Sequence, residues 1–258
     1  MEDNEQMEFF YRIFDASLPR LGAGNEESTL KAWDMLLAVK PGLADKIRVL
    51  DLGCGNGAQT IQLAKYINGT ILAVDNHQPF LDELQRRAEA EGVFGKIQLC
   101  LKDMAKLVPS DGPFDLVWSE GALFVMGFRE GLTICHNLLT PDGLLAASDI
   151  AWIRPDPPEE CRQFFETVYP AMVDINANLD IIKSCGYKII GHFIQPESAW
   201  WDQLYNPLED RLQSLRKQYK ADPERTEMIN TIQTEIDIYR KYSAYYSNVF
   251  FLMQRSES

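Results

Sequence analysis

The sequence predicts an α/β chain built on one doubly wound sheet of seven strands with helices on both faces. Three observations carry that expectation. From Lys46 onward, short runs rich in β-branched residues alternate with segments of helical period, the pattern of a parallel sheet covered on both sides. A glycine loop, Asp51-Leu52-Gly53-Cys54-Gly55-Asn56-Gly57, stands directly between the first such run and the first helical segment. A carboxylate, Asp75, closes the second run.

Residues 47–52 read as the first strand, and the helix after the glycine loop carries Ile61, Leu63, Ala64 and Tyr66. Residues 70–74 form the second strand, and Pro79 suits the first turn of a helix with Phe80, Leu81, Leu84 and Ala88 on one face. Third and fourth strands are expected at 97–101 and 114–118. Residues 127–139 read as a helix, stopped by a Thr140-Pro141-Asp142-Gly143 turn before a fifth strand at 144–148. The run Arg154-Pro155-Asp156-Pro157-Pro158 cannot extend that strand, because adjacent prolines lack N–H groups. Helices are expected at about 159–168 and 175–185, the second ended by Gly186, followed by a strand at 187–194 and a last one at 249–253.

Residues 195–246 are too long for a hairpin loop and carry helical period, so they read as a helical insertion, not a second domain. The division expected is a helical N-terminal cap over 1–45, with a helix at 29–39, and one domain over 46–258.

Composition narrows the function. The 38 acidic and 25 basic residues give a net charge of −13, spread as −5, −4 and −4 over 1–45, 46–152 and 153–258. Diffuse acidity is a solubility feature and works against nucleic acid as a partner, since phosphate neutralisation needs Lys and Arg. Arg211, Arg216, Lys217 and Lys220 make a local basic stripe, but Glu209 and Asp210 beside it favour a solvated helix face. Five cysteines without C-x-x-C spacing fit a reducing compartment, and three histidines without ligand spacing predict no metal site. The first ten residues hold four acids and no base, unlike a leader, and no apolar run approaches the ~18 residues of a membrane span, so a cytoplasmic protein is expected.

Glycines between a strand and a helix permit a tight turn and let backbone N–H groups approach a ligand at the helix N-terminus. Gly53-x-Gly55-x-x-Ala58 also satisfies a degenerate dinucleotide fingerprint. The carboxylate two residues before the first glycine separates the readings: Asp51 would repel a pyrophosphate and attract a ligand bearing an ammonium and a sulfonium.

Asp51, Gly53, Gly55 and Gly57 match the acid-x-G-x-G-x-G motif of the class I S-adenosylmethionine-dependent methyltransferases, which the chain resembles over roughly 46–195. The resemblance implies a Rossmann-like seven-stranded methyltransferase sheet and S-adenosylmethionine as cofactor. It implies that Asp75, with Asn76 beside it, binds the ribose hydroxyls, and that Asp103 and Met104 clamp the adenine. It implies that Asn56 lies against the methionine end, with Ser119 lining the same pocket, and Cys54 within the loop reads as buried filler beside the cofactor. Pro141-Asp142-Gly143 and Ser184-Cys185-Gly186-Tyr187 match the family's steps into its fifth and sixth strands. Within the class the chain looks nearest to ubiquinone/menaquinone-type and other small-molecule methyltransferases, and nearest of all to bacterial proteins with a Trp-Ser-Glu-Gly stretch, here Trp118 to Gly121. It departs from the class in its insertion and in lacking an Asn-Pro-Pro-Tyr type motif after strand four, which argues against the nucleic-acid and protein-glutamine branches.

Methyl transfer from a sulfonium is an in-line displacement that gains chiefly from alignment and a dry site. Glu120 is the catalytic candidate, as a base or cation-binding group, with a helix N-terminal carboxylate as the competing reading; Asp149 is a weaker candidate. Tyr11, Trp152, Trp200 and Trp201, with Phe9, Phe10 and Tyr205, either enclose an apolar or cationic acceptor or pack the extra helices. Arg20, Gly22 and Gly24 form a flexible stretch that, in related enzymes, closes over the cofactor. The insertion is a candidate surface for a homodimer. The acidic balance mildly favours a neutral or cationic small-molecule acceptor. An NAD-dependent oxidoreductase and a non-catalytic nucleoside-binding module stay open as other readings.

Overall fold

A computed structural model describes residues 3–256; the outer ends of the expected 1–45 and 46–258 divisions lie outside the described residues. The elements run α1 (Asp3–Ile13), α2 (Glu26–Val39), β1 (Asp45–Leu52), α3 (Ala58–Tyr66), β2 (Asn68–Asp75), α4 (Gln78–Ala90), β3 (Ile97–Leu101), β4 (Phe114–Glu120) and α5 (Phe128–Leu138). They continue β5 (Leu139–Trp152), α6 (Glu159–Val168), α7 (Ile175–Ser184), β6 (Tyr187–Ile194), the single turn α8 (Ser198–Trp200), a π-helical turn Trp201–Tyr205, α9 (Asn206–Gln218), α10 (Pro223–Tyr242) and β7 (Tyr246–Arg255).

The seven strands form one sheet in the order β3-β2-β1-β4-β5-β7-β6. All pairings are parallel except those of β7, which runs antiparallel between β5 and β6. A dinucleotide fold of order 3-2-1-4-5-6 has no such strand. Buried apolar residues of α2, α3 and α4 cover one face, around Trp118 and Phe250. Those of α5 and α7 cover the other, around Val117 and Phe251. Central strands are buried on both faces, which is why they read as continuous apolar runs.

Three expectations are corrected by the sheet. Ser119 and Glu120 are not beyond strand four but inside it, because Ser119 pairs with Ala147 and Glu120 with Ser148. Thr140-Pro141-Asp142-Gly143 does not precede the fifth strand but bulges from it: pairing jumps from Phe114–Leu139 to Leu116–Leu144, and Asp142 has φ 58°. The last strand begins at Tyr246, where pairing with Trp152 starts, and not at 249.

Helix α2 begins at Glu26, capped by Asn25, whose side chain accepts from the Ser28 N–H at 2.9 Å. Arg20 and Gly24 before it are buried, so the stretch is an anchored strap and not a free loop. Helix α1 leaves the sheet and packs with α6, α9 and α10 in a separate cluster above the strand ends, built on Phe9, Ile13, Tyr205, Leu212, Ile229 and Ile236. The insertion thus buries its apolar face within its own chain. No helix among the described residues is long and apolar enough to cross a membrane.

Candidate active site

A cavity of about 900 Å³ opens at the carboxyl ends of β1, β2 and β4, the position where open α/β sheets bind ligands. The structure brings Gly53, Cys54, Gly55, Asn56, Asp75, Asn76, Asp103, Met104, Glu120 and Tyr11 to its lining. Asp51, Gly57, Ser119, Trp152, Trp200 and Trp201, also expected there, do not line it.

The glycine loop owes its shape to two close approaches. Gly53 has φ 71°, and a Cβ there would lie 2.4 Å from Ala122 Cβ; Gly57 has φ 83°, and its Cβ would meet Leu84 Cγ at 2.3 Å. Gly57→Ala therefore combines left-handed strain with overpacking and is expected to destabilise the chain by about 2–4 kcal/mol, read as a lower urea midpoint at unchanged slope. Gly53 and Cys54 donate their N–H groups to Val74 O, at 2.9 and 3.0 Å, which ties the loop to β2.

Asp51 lies beneath the loop, fully buried, and accepts from Thr60 Oγ1 and from Gln59 Nε2, the latter at 3.3 Å. Burial pushes its carboxyl up to about 7, against the opposing hydrogen bonds of Thr60 and Gln59. The direct attraction of a cationic ligand expected of Asp51 is thereby corrected: it fixes α3 and Gln59, and Gln59 reaches the cavity. Ser119 is likewise turned inward, its hydroxyl donating to Leu52 O at 2.9 Å. Cys54 is buried at the cavity wall, and burial holds its thiol well above the ordinary range.

Asp75 accepts from the Gly55 N–H on Oδ2 at 2.9 Å and from the His77 N–H on Oδ1 at 3.0 Å. Each oxygen keeps acceptor capacity toward the cavity. Burial raises the Asp75 carboxyl, with those two N–H groups pulling the other way. Tyr11 from α1 stacks on His77, ring centroids 3.6 Å apart, and its hydroxyl is raised by burial and by the Asp75 charge. Asp103 caps a short turn by accepting from the Ala105 N–H at 3.0 Å, with Met104 following at the wall.

Glu120 is committed to other groups. Its Oε2 accepts from Arg20 Nη1 at 2.7 Å, and its Oε1 accepts from Thr29 Oγ1 at 2.8 Å and Trp118 Nε1 at 2.9 Å. The pair is almost wholly buried, the side chains of Arg20 and Glu120 being 8% and 2% exposed. Asn56 Nδ2 donates to the carbonyls of Ala16 and Leu18, at 3.1 and 2.7 Å, and Arg87 donates to Ala16, Leu18 and Pro19. Asn56 and Glu120 thus hold the strap over the cavity. Sequence reading missed Thr29 and Gln59 as site residues and placed Arg20 only in a flexible stretch; the Arg20–Glu120 contact joins residues a hundred positions apart and leaves no local signal.

Of the two readings left open for Trp152, Trp200 and Trp201, their ring contacts favour packing of the extra helices. Trp200 stacks on Tyr239 at 4.5 Å, Trp201 lies 5.7 Å from Tyr205, and Trp152 meets Phe165 of α6 edge-on at 5.4 Å, all in the cluster that α1, α6 and the insertion share. The apolar wall comes instead from Leu21, Phe80, Phe124, Met126 and Ile134.

Asp149 is buried behind the cavity, accepting from Tyr169 Oη at 2.8 Å and its neighbour Ile150 N–H at 2.9 Å. Burial pushes its carboxyl up to about 7 despite the Tyr169 bond. Asp149 and Asp51 therefore take up protons on folding. The stability they contribute is whole below about pH 4 and is lost as pH rises through about 7, on the order of 4 kcal/mol for one carboxyl moved that far. The thermal midpoint is expected to fall between pH 5 and pH 8, and Asp149→Asn to flatten that slope; a midpoint rising with pH would contradict it. Among the described residues no three His, Cys, Asp or Glu side chains group to hold a metal.

The sequence model of a methyltransferase domain matches residues 49–143. A sterol 24-C-methyltransferase of Neurospora crassa is 24% identical over 60% of this chain and 43% of its own length. An uncharacterised Haemophilus influenzae protein is 30% identical over 49% of this chain and 51% of its own. The chain thus spans about half the length of the curated relatives it matches. A S-adenosylmethionine-dependent methyltransferase of Geobacter sulfurreducens, solved with S-adenosyl-L-homocysteine, superposes at a TM-score of 0.80 and 18% identity, over 95% of this chain and 97% of that one.

Proposed function

We propose that this chain, which has the fold of the class I methyltransferases, transfers a methyl group from S-adenosylmethionine to a small-molecule acceptor. The observation that carries the reading is the meeting, in one cavity of that fold, of the glycine loop, the Asp75 carboxylate and the Asp103-Met104 turn. This donor set fits the cofactor: Asp75 offers paired acceptors for a vicinal diol, Asp103 an acceptor for an exocyclic amine, and Met104 and Ala122 apolar flanks for a ring. An S-adenosylmethionine bound there supplies an electrophilic methyl on a sulfonium.

The residues' part is alignment and dryness. The strap, held by Asn56, Arg87 and the Arg20–Glu120 pair, covers the cavity, and Leu21, Phe80 and Phe124 make its wall apolar. Glu120 is assigned no proton transfer here, since both its oxygens are engaged; it is a positioning residue for the strap.

We infer a small-metabolite acceptor, in keeping with the resemblance to ubiquinone/menaquinone-type and other small-molecule methyltransferases and to bacterial proteins with the Trp118-Ser119-Glu120-Gly121 stretch; the lack of an Asn-Pro-Pro-Tyr type motif after strand four argues against the nucleic-acid and protein-glutamine branches. The five free cysteines support a reducing, cytoplasmic setting. A homodimer through the insertion draws no support from the packing, because its apolar face is covered by α1 and α6. Label from methyl-labelled S-adenosylmethionine should appear in an extractable metabolite when the chain is added to a cell extract. Label confined to macromolecules, or none, would overturn the reading.

A further inference from the structure

Behind the strap, at the ends of β6 and β7, lies a set of buried polar atoms with no protein partner: both amide atoms of Gln195, Asn248 Oδ1, the Tyr246 hydroxyl and the Trp200 indole N–H. Their residues are between 1% and 3% exposed. Tyr246 and Asn248, two apart on β7, share a sheet face. Ile194 pairs with Val249, and the Gln195 N–H donates to Asn248 O at 2.9 Å, so Gln195 stands opposite Asn248 and on that same face. The Trp200 ring lies 6.3 Å from the Tyr246 ring.

One residue's thickness separates this set from the cavity. Asn248 Nδ2 donates to Ala23 O at 3.2 Å and to Ser148 Oγ at 3.3 Å, and Ser148 Oγ accepts from the Gly121 N–H at 2.9 Å. Ala23 and Gly121 both line the cavity. An unpartnered buried polar atom costs stability. Five of them on four residues, one layer behind the cavity lining, cost stability in one region, the pattern of a site kept for binding.

We propose that Gln195, Tyr246, Asn248 and Trp200 form a subsite, beneath residues 20–25 of the strap, for a neutral hydrogen-bonding group of the acceptor, such as a carboxamide or a hydroxyl. The class follows from the lining. The two amides, the hydroxyl and the indole offer donors and acceptors but no formal charge; of the charged groups nearby, Arg20 and Glu120 are paired with each other, and Glu235, which bears on the Tyr246 hydroxyl, is held toward its neutral form by burial. A carboxylate or ammonium brought here would be buried without a counter-charge. The subsite rests on the methyl-transfer reading for its purpose but not for its existence.

Two conservative variants remove only the orphan groups: Tyr246→Phe keeps the ring, and Gln195→Met keeps the length. Acetamide serves as the probe, followed by saturation-transfer NMR on the full chain saturated with S-adenosylhomocysteine. The acetamide signal is expected to fall at least fivefold in the double variant, and methyl incorporation into metabolites at least tenfold, while S-adenosylhomocysteine affinity is unchanged and the thermal midpoint is equal or higher. An equal acetamide signal in both proteins, or a lower midpoint with unchanged incorporation, would mean that the atoms serve only internal water and would overturn the proposal. Should the native chain transfer no methyl, the function reading fails, and the acetamide comparison still decides the subsite.

Discussion

Replacing Glu120 with Ala is expected to lower the unfolding free energy by about 3–5 kcal/mol, the range for removing one partner of a buried ion pair. The Arg20 guanidinium would keep only its 3.3 Å contact to Thr29 Oγ1, and Trp118 Nε1 would lose its acceptor. The strap would be affected as much as the core, since Gly24 packs so close that a Cβ there would stand 2.1 Å from Arg20 Nη1. Urea unfolding of Glu120→Ala, of Arg20→Met and of the double variant reads the effect. The double variant should recover part of the loss, because no charge is left buried alone. A loss below 1 kcal/mol for Glu120→Ala would show that the pair is not buried in solution.

Asp75→Ala is expected to weaken S-adenosylhomocysteine binding by about 100-fold or more, since two hydroxyl hydrogen bonds to a charged acceptor are each worth roughly 1.5–3 kcal/mol. The loop would also loosen, because the Gly55 and His77 N–H groups lose their acceptor. Asp75→Asn keeps the shape and one acceptor oxygen and should fall between the two. Titration calorimetry separates the variants, and a change below threefold would remove Asp75 from the ribose role.

Strands were legible because a sheet covered on both faces demands apolar runs, and residues 114–118 and 144–148 lie in β4 and β5 where that demand puts them. Strand ends were less legible, because pairing decides them: Glu120 belongs to β4 only through Ser148, and Tyr246 to β7 only through Trp152. The glycine loop and Asp75 are local signals, carried within 25 positions, so they reach the cavity together. Asp51 was read for its charge, whereas burial beneath α3 makes it a support for Gln59. The tryptophans show a different limit. Aromatic residues at helical spacing serve packing and binding alike; the Trp200 ring packs on Tyr239 and Tyr205, away from the cavity lining, and only its indole N–H is left unpartnered. The Arg20–Glu120 pair had no local signal, since its partners are a hundred positions apart.

The methyltransferase reading has a direct test in calorimetric titration of the intact chain with S-adenosylhomocysteine and, separately, with NAD. One site for S-adenosylhomocysteine, with a dissociation constant in the micromolar range or tighter, about −8 kcal/mol or more favourable, and no heat with NAD is the expected result. Binding of NAD at that site, or no binding of S-adenosylhomocysteine at millimolar concentration, would contradict it.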